Sequence, residues 1–144
     1  MNTELNFLRK EALQELETNI LPFWMQQCID TEYGGFRGRI RGDGSADPDA
    51  PKGAILNARI LWAFSAAFRV LGKKEYIETA TRAKREIIDR FYDKEYGGVF
   101  WSLDSQGRPL DTKKQIYALG FAIYGLSEYA RATGDKEAEE YALK

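Results

Sequence analysis

The sequence predicts an all-α protein, specifically part of an (α/α) toroid of helical hairpins with short β-hairpin loops. Two long stretches, residues 55–71 and 116–134, would each form a helix that is apolar around almost its whole circumference. Each is followed by a stretch with the pattern of an amphipathic helix. The motif Glu-Tyr-Gly-Gly occurs at residues 32–35 and returns 63 positions later at residues 95–98. Helical-hairpin repeats of this length bury their faces only against neighbouring units, which favours a ring or a long stack.

The first element is predicted to be an outer amphipathic helix over residues 2–20. Five apolar residues recur at helical spacing, namely Leu5, Leu8, Ala12, Leu16 and Ile20. Pro22 is expected to help end this helix. The glycines and prolines of residues 30–51 then predict a long loop, with a short hairpin over residues 34–40.

Residues 52–72 are predicted to form an inner helix that Gly72 ends. Almost every residue between Ile55 and Leu71 is apolar or small, and the polar exceptions are Asn57, Arg59, Ser65 and Arg69. A helix that is apolar around its whole circumference is typically buried, so Arg59 is expected to lie in the interior. The stretch is too short, and too interrupted by Arg59, to span a bilayer.

The remaining elements repeat this pattern. Residues 75–91 have one apolar stripe and predict an outer helix, and residues 99–103 begin a β-hairpin whose turn is at residues 104–107. Residues 116–134 form a second apolar helix, and residues 135–144 begin another outer helix. Gly72 and Gly134, 62 positions apart, end the two inner helices. The chain therefore holds about two and a half units, and residues 1–144 are expected to be the N-terminal part of one larger barrel domain, truncated within a repeat.

Composition excludes several classes of function. The 21 basic and 22 acidic residues nearly cancel, and the net charge of −1 argues against nucleic acid or an anionic membrane as the main partner. The single cysteine, Cys28, permits no internal disulfide, which fits a cytoplasmic protein, and it is predicted to be structural. Aromatic residues make up 13% of the chain, which suits both a helical core and a carbohydrate site.

The sequence contains no histidine, so the commonest general base and the commonest metal ligand are missing. The acidic cluster Asp43, Asp47 and Asp49 lacks the spacing of a calcium loop, so no metal site is predicted. The Gly-x-Gly patterns do not follow a strand in a βαβ unit, which makes a nucleotide cofactor unexpected.

Arg59 and Tyr117 are the strongest candidate site residues. An offset of 62 aligns Ile55 with Tyr117 and Arg59 with Phe121, so Tyr117 lies one turn before the position equivalent to Arg59. Arg59 and Tyr117 therefore both lie in the first turns of inner helices, toward the same rim. A buried arginine can pair with a carboxylate, or it can offer its five donors to sugar hydroxyls or to a developing enediolate oxygen. A tyrosine in this position can pack in the core or serve the site through its hydroxyl.

Three further residues are candidates for substrate binding. Trp62 follows Arg59 by one helical turn, and Trp101 lies in the hairpin; both have flat faces that can stack on a sugar or pack in the core. Asn57 can bind substrate or can hydrogen-bond at the helix start.

Residues 55–69, ILNARILWAFSAAFR, resemble the second-helix signature of the cellobiose 2-epimerase branch of the N-acylglucosamine 2-epimerase family. Residues 113–135 resemble the fourth helix of that family, and EYGGVFWSLD at residues 95–104 resembles its hairpin loop. The resemblance covers nearly the whole chain but only the front part of a family member. It implies an (α/α)6 barrel.

The resemblance also implies a chemistry. Members of this branch invert C2 of the reducing-end glucose in β-1,4 disaccharides such as cellobiose and lactose through a cis-enediol intermediate, without metal or nucleotide. The family's arginine near the enediolate matches Arg59, and its active-site tyrosine matches Tyr117. The family's acid/base histidines have no match in this sequence. The 144 residues alone are therefore expected to be inactive.

Two other functions stay open at this point. A toroidal glycoside hydrolase needs two carboxylates across a glycosidic bond, and Asp104 and Asp111 are the loop acids best placed for that role. A non-catalytic helical-repeat scaffold would instead bind a protein partner. A truncated ring also predicts exposed apolar edges and self-association through them.

Overall fold

The computed structural model describes residues 3–144, so the predicted start of the first helix at Asn2 lies outside the described residues. Six α-helices and three short strands lie in this range: α1 Thr3–Glu15, α2 Leu21–Gln26, β1 Lys52–Gly53, α3 Ala54–Leu71, α4 Lys74–Glu86, β2 Ser102–Leu103, β3 Pro109–Asp111, α5 Ile116–Thr133 and α6 Lys136–Leu143. The π turns Leu16–Ile20 and Ile87–Phe91 follow α1 and α4.

The helices alternate between outer and inner positions, as predicted. The inner helix α3 packs against the inner helix α5 and the outer helix α4, and α5 packs in turn against the outer helix α6. The two inner helices lie close together at Gly125, where an added Cβ would be 2.7 Å from the carbonyl oxygen of Ala58. This alternation confirms the predicted fold class, an all-α partial toroid.

The first helix does not end where Pro22 predicted. After the π turn Leu16–Ile20 the chain continues as α2 to Gln26, and Pro22 occupies the first turn of α2. A proline is tolerated there because the first turn of a helical segment does not need its missing N–H. None of the residues of α1 is buried.

The inner helices end as predicted, but α3 begins later. Gly72 and Gly134 end α3 and α5 in the left-handed conformation, with φ of 72° and 75°. Residues Lys52 and Gly53 belong to strand β1 instead of the helix. The predicted loop hairpin is present as β2 and β3, and β1 adds to it to form an antiparallel sheet in the order β1-β2-β3.

The predicted hairpin over residues 34–40 is wrong. Phe36 pairs backward with Ile29 and Ile40 pairs forward with Ala46, each as an isolated bridge. The two halves of this segment therefore pair with different neighbours and not with each other.

The expectation that both inner helices are buried all round is also wrong. The core lies on one side of α3, where Ala58, Leu61 and Phe64 are buried, while Val70 is 68% exposed. Only 44% of Ala54–Leu71 is buried. The expectation that this stretch is too short to span a bilayer is wrong by length and composition alone, a test that the core helices of globular proteins also pass. Arg59, Ala63 and Val70 are exposed on the opposite side of α3, which leaves an apolar edge there. The predicted self-association through this edge stays a prediction.

Candidate functional site

A groove runs along the uncovered face of the two inner helices. It has a volume of about 890 Å³. The α3 side chains that line it recur at helical spacing, and so do those of α5: Arg59, Trp62 and Ala63 from α3, and Ile116, Tyr117, Gly120, Phe121 and Tyr124 from α5. The structure thus brings together three residues of the predicted site, Arg59, Trp62 and Tyr117.

Aromatic rings form most of the groove wall. Trp62 stacks on Tyr124 across the two helices, with ring centroids 4.9 Å apart and planes 10° from parallel. Phe121 meets Tyr117 edge-on at 5.0 Å and Tyr124 edge-on at 6.1 Å. Contacts of this kind favour fixed ring positions, so the wall presents ordered apolar surface beside polar hydroxyl groups. Tyr124 and Phe121 were missed from the sequence, although their spacing from Tyr117 places all three near one face.

Arg59 lies at the groove with its guanidinium accessible. The expectation that Arg59 is buried is not met within residues 3–144, where it is exposed on the side of α3 away from the core. Within residues 3–144 it has no hydrogen-bond or ion-pair partner. By contrast, Arg69 on the same helix is tied to Glu128 at 2.7 Å. The five donors of Arg59 are therefore free to bind an anionic or hydroxyl-rich ligand.

Asn57 and Trp101 do not line this groove. Asn57 is fully buried and donates its side-chain N–H to the Gly53 carbonyl at 2.9 Å. Trp101 is half-buried, and its carbonyl accepts a hydrogen bond from the amide of Ala54 at 3.1 Å. Both residues therefore fix the junction between the sheet and the start of α3, on which Arg59 is carried.

A lysine clamp precedes α3. The Lys52 ammonium donates to the Asp30 carboxylate at 2.8 Å and to the Gly34 carbonyl at 2.6 Å. The other oxygen of Asp30 accepts hydrogen bonds from the amides of Glu32 and Tyr33. Burial alone would raise the pKa of Asp30, but the hydrogen bonds from Lys52 and from these amides outweigh it and lower the pKa.

The same clamp precedes α5. The Lys114 ammonium donates to Asp93 at 2.6 Å and to the Gly97 carbonyl at 2.6 Å, and Asp93 accepts from the amides of Glu95 and Tyr96. The hydrogen bond from Lys114 lowers the pKa of Asp93. The sequence analysis recognised the Glu-Tyr-Gly-Gly repeats but missed the clamps. The sequence does contain a repeated pattern for the clamps: an aspartate lies two residues before each Glu-Tyr-Gly-Gly motif, and a lysine lies two residues before each inner helix.

A buried carboxylate joins the first turn to α4. Glu86 is 4% exposed, and an added Cβ on Gly35 would lie 2.4 Å from its carboxyl carbon. Arg90 approaches Glu86 at 3.5 Å and donates to the Tyr33 carbonyl. Burial raises the pKa of Glu86. This cluster is tied to the loop and does not reach the groove.

The two acids considered for hydrolysis are engaged elsewhere. Asp104 is paired with Arg108 at 2.7 Å, and Asp111 faces Lys113 at 3.6 Å. Neither residue lines the groove, so the structure does not place two carboxylates across a sugar site. In the described part of the chain, no three His, Cys, Asp or Glu side chains converge to hold a metal ion.

The alternating inner and outer helices define the class of this chain as a partial toroid of helical hairpins, and comparison with known proteins identifies its family. Residues 34–144 match the family N-acylglucosamine 2-epimerase (GlcNAc 2-epimerase), so the chain belongs to this family. It is 64% identical over 137 residues to cellobiose 2-epimerase of Bacteroides fragilis, which covers 95% of this chain and 35% of that protein.

Solved structures agree with this assignment. The cellobiose 2-epimerase of Bacillus thermoamylovorans superposes with a TM-score of 0.92 at 43% identity, over 96% of this chain and 35% of that one. A D-mannose isomerase superposes with a TM-score of 0.74 at 30% identity, over 85% of this chain and 30% of that one. These neighbours have the (α/α)6 barrel fold. The chain spans about a third of the length of the relatives that it matches.

Proposed function

We propose that this chain is part of a sugar epimerase that interconverts the reducing-end glucose and mannose of β-1,4 disaccharides such as cellobiose and lactose. One observation carries the proposal: the unpartnered guanidinium of Arg59 shares a groove with Tyr117 and the Trp62–Tyr124 stack. The relatives named cellobiose 2-epimerase support the choice of disaccharide. A sugar fits this groove because its C–H face can lie on the rings while its hydroxyls meet Arg59.

The proposed reaction proceeds through a cis-enediol. After the reducing-end ring opens, a base removes the proton from C2, and the electron pair shifts toward the C1 carbonyl oxygen. Return of a proton to the opposite face of C2 gives the epimer. Arg59 would donate to the oxygen that becomes negative, and the Tyr117 hydroxyl would hydrogen-bond beside it. Asn57 and Trp101 would act on this site only by fixing the start of α3.

The proton transfers need a group that these residues do not supply. The sequence has no histidine, and a guanidinium has donors but no acceptor with which to take up a proton. We therefore propose that the 144 residues contribute substrate binding and enediolate stabilisation and do not turn over the sugar alone.

A chimaera tests the proposed function. In it, this chain replaces the matching first third of the Bacteroides fragilis relative, to which it is 64% identical. We expect the chimaera to convert cellobiose to glucosyl-mannose, as followed by chromatography, and to incorporate deuterium at C2 in heavy water. Arg59→Lys should lower kcat/KM by about 100-fold, because a lysine loses the forked donor geometry.

The matched control is Arg69→Lys on the same helix. Arg69 is paired with Glu128 and does not line the groove, so this variant should keep its activity. An equal loss for Arg59→Lys and Arg69→Lys would contradict the role of Arg59. A folded chimaera without activity toward cellobiose or lactose would refute the proposed substrate class.

Tryptophan fluorescence of the 144-residue chain distinguishes sugar binding from a non-catalytic scaffold role. Trp62 lies in the groove, whereas Trp24 and Trp101 do not line it, so cellobiose should quench tryptophan fluorescence in the chain but not in its Trp62→Phe variant. A non-catalytic scaffold predicts no response to the sugar in either protein. Robust epimerisation by the 144 residues alone would refute the proposal that the acid/base groups lie elsewhere.

A further inference from the structure

We propose that Lys114 and Asp93 are positioning residues for the groove: their clamp fixes the start of α5, and with it the candidate catalytic side chain Tyr117. This inference rests on the proposed function for its catalytic part. The contact itself is independent of any sugar, since Lys114 spans from the residue before the α5 cap to the preceding Asp93 and Gly97.

The Lys114 ammonium makes two hydrogen bonds and lies near two aromatic rings. Two of the three ammonium donors of Lys114 are satisfied at 2.6 Å, one by the charged Asp93 carboxylate and one by the Gly97 carbonyl. The ammonium also lies 5.8 Å from the ring centre of Tyr96 and 5.9 Å from that of Phe100. The Lys114 ammonium thus contacts both the turn at Gly97 and the segment that leads into β2.

The start of α5 is held against the same turn. An added Cβ on Gly98 would lie 3.0 Å from the Leu119 side chain and 3.2 Å from the Lys114 stem. Gly98 has a φ of 72°, a conformation that glycine adopts readily. Tyr117 lies three residues after Lys114 and between Lys114 and Leu119, so both anchors of the turn flank it. Tyr117 is 65% exposed, and its ring contact is with Phe121 one turn further along α5, so its place relative to α3 depends on where α5 begins.

The repeat supports a positioning role over an accidental ion pair. Lys52 makes the same two contacts to Asp30 and Gly34 just before α3, the helix that carries Arg59. The same device therefore precedes both helices that line the groove. The Lys52 side chain is 1% exposed and that of Lys114 is 30% exposed, so Lys114 can be replaced with less risk to folding.

Hydrogen exchange on the 144-residue chain tests the contact without a sugar. The Leu119 amide donates to the Gln115 carbonyl at 3.1 Å, and this bond reports the first turn of α5. We expect Lys114→Met to speed exchange of this amide by about tenfold while amides in α3 stay protected. Lys114→Arg, which keeps donors in reach of both acceptors, should restore most of the protection.

Kinetics in the chimaera with the Bacteroides fragilis relative tests the catalytic part. Lys114→Met should lower kcat by about tenfold with little change in KM, because a displaced Tyr117 affects the reacting atoms more than overall binding. Lys84→Met is the matched control, since Lys84 also bridges two acceptors at 2.6 Å, Asp135 and Glu137, but away from the groove. It should lower the melting temperature and leave kcat unchanged.

Two results would overturn the inference. Unchanged exchange of the Leu119 amide in Lys114→Met would show that the clamp does not fix the start of α5. Faster exchange with wild-type kcat would show that the clamp is purely structural. If the parent chimaera is inactive, the proposed function fails, and the exchange result alone still decides whether Lys114 orders this turn.

Discussion

Two glycines in α5 should respond in opposite directions to the same substitution. Gly120 lies on the groove, and an added Cβ there would meet nothing within 4 Å. Gly125 lies on the buried side, where the added Cβ would be 2.7 Å from the Ala58 carbonyl oxygen and 3.3 Å from the Leu61 side chain. Gly→Ala at these positions therefore separates helix propensity from packing between helices.

The magnitudes follow from these contacts. Gly120→Ala should stabilise the fold by about 0.5–1 kcal/mol, because alanine loses less backbone entropy in a helix. At Gly125 the neighbour is backbone, so α3 and α5 must separate, and overpacking of this kind costs about 1–3 kcal/mol. That cost outweighs the gain in propensity. For a chain of 144 residues, each kcal/mol corresponds to a shift of roughly 3–4 °C in melting temperature.

Urea denaturation followed by circular dichroism at 222 nm measures both variants. The midpoint should rise for Gly120→Ala and fall for Gly125→Ala, with an unchanged slope in each case. Two stabilised variants would refute the close approach of α3 and α5 at Ala58. Two destabilised variants would refute the assignment of Gly120 to an open face.

Three further predictions concern buried groups. Lys52→Met should destabilise the fold by about 3–5 kcal/mol in urea denaturation, because it leaves Asp30 buried without its cation, whereas Lys113→Met at an exposed pair should change little. Burial raises the pKa of Glu86, so its contribution to the free energy of unfolding is complete below the unfolded pKa and is lost as pH rises through the folded pKa. When the free energy of unfolding is measured from pH 4 to 7, Glu86→Gln should remove this loss. Burial raises the pKa of Cys28 to about 11, so at pH 8 iodoacetamide should modify it far more slowly in the folded chain than in urea.

The local architecture could be predicted because its signals are local. Gly72 and Gly134 both adopt the left-handed conformation that ends a helix, and the amphipathic stripe of residues 75–91 is the outer helix expected. The hairpin around residues 104–107 has a strand on each side. In each case the determining residues lie within a few positions of the feature that they determine.

The clamps and the first helix could not be predicted in the same way. Lys52 contacts Asp30 across 22 positions, and Lys114 contacts Asp93 across 21, so neither pair is visible in a local pattern. Lys52 was consequently assigned to the inner helix instead of a strand. Pro22 was interpreted as a helix end because the π turn that precedes it has no clear signature in sequence.

The exposure of Arg59 follows from how much of a barrel the described residues form. A helix that is apolar around its whole circumference is adapted to burial on all sides, and in residues 3–144 the main partners of α3 are α4 and α5. The opposite side bears Arg59, Trp62 and Val70, of which Val70 is 68% exposed. In an (α/α)6 barrel the inner helices line the interior, and this chain matches about a third of such barrels. Under the proposed function, these exposed residues would face the interior of a complete ring, where a guanidinium without a partner would act most strongly on a bound anion.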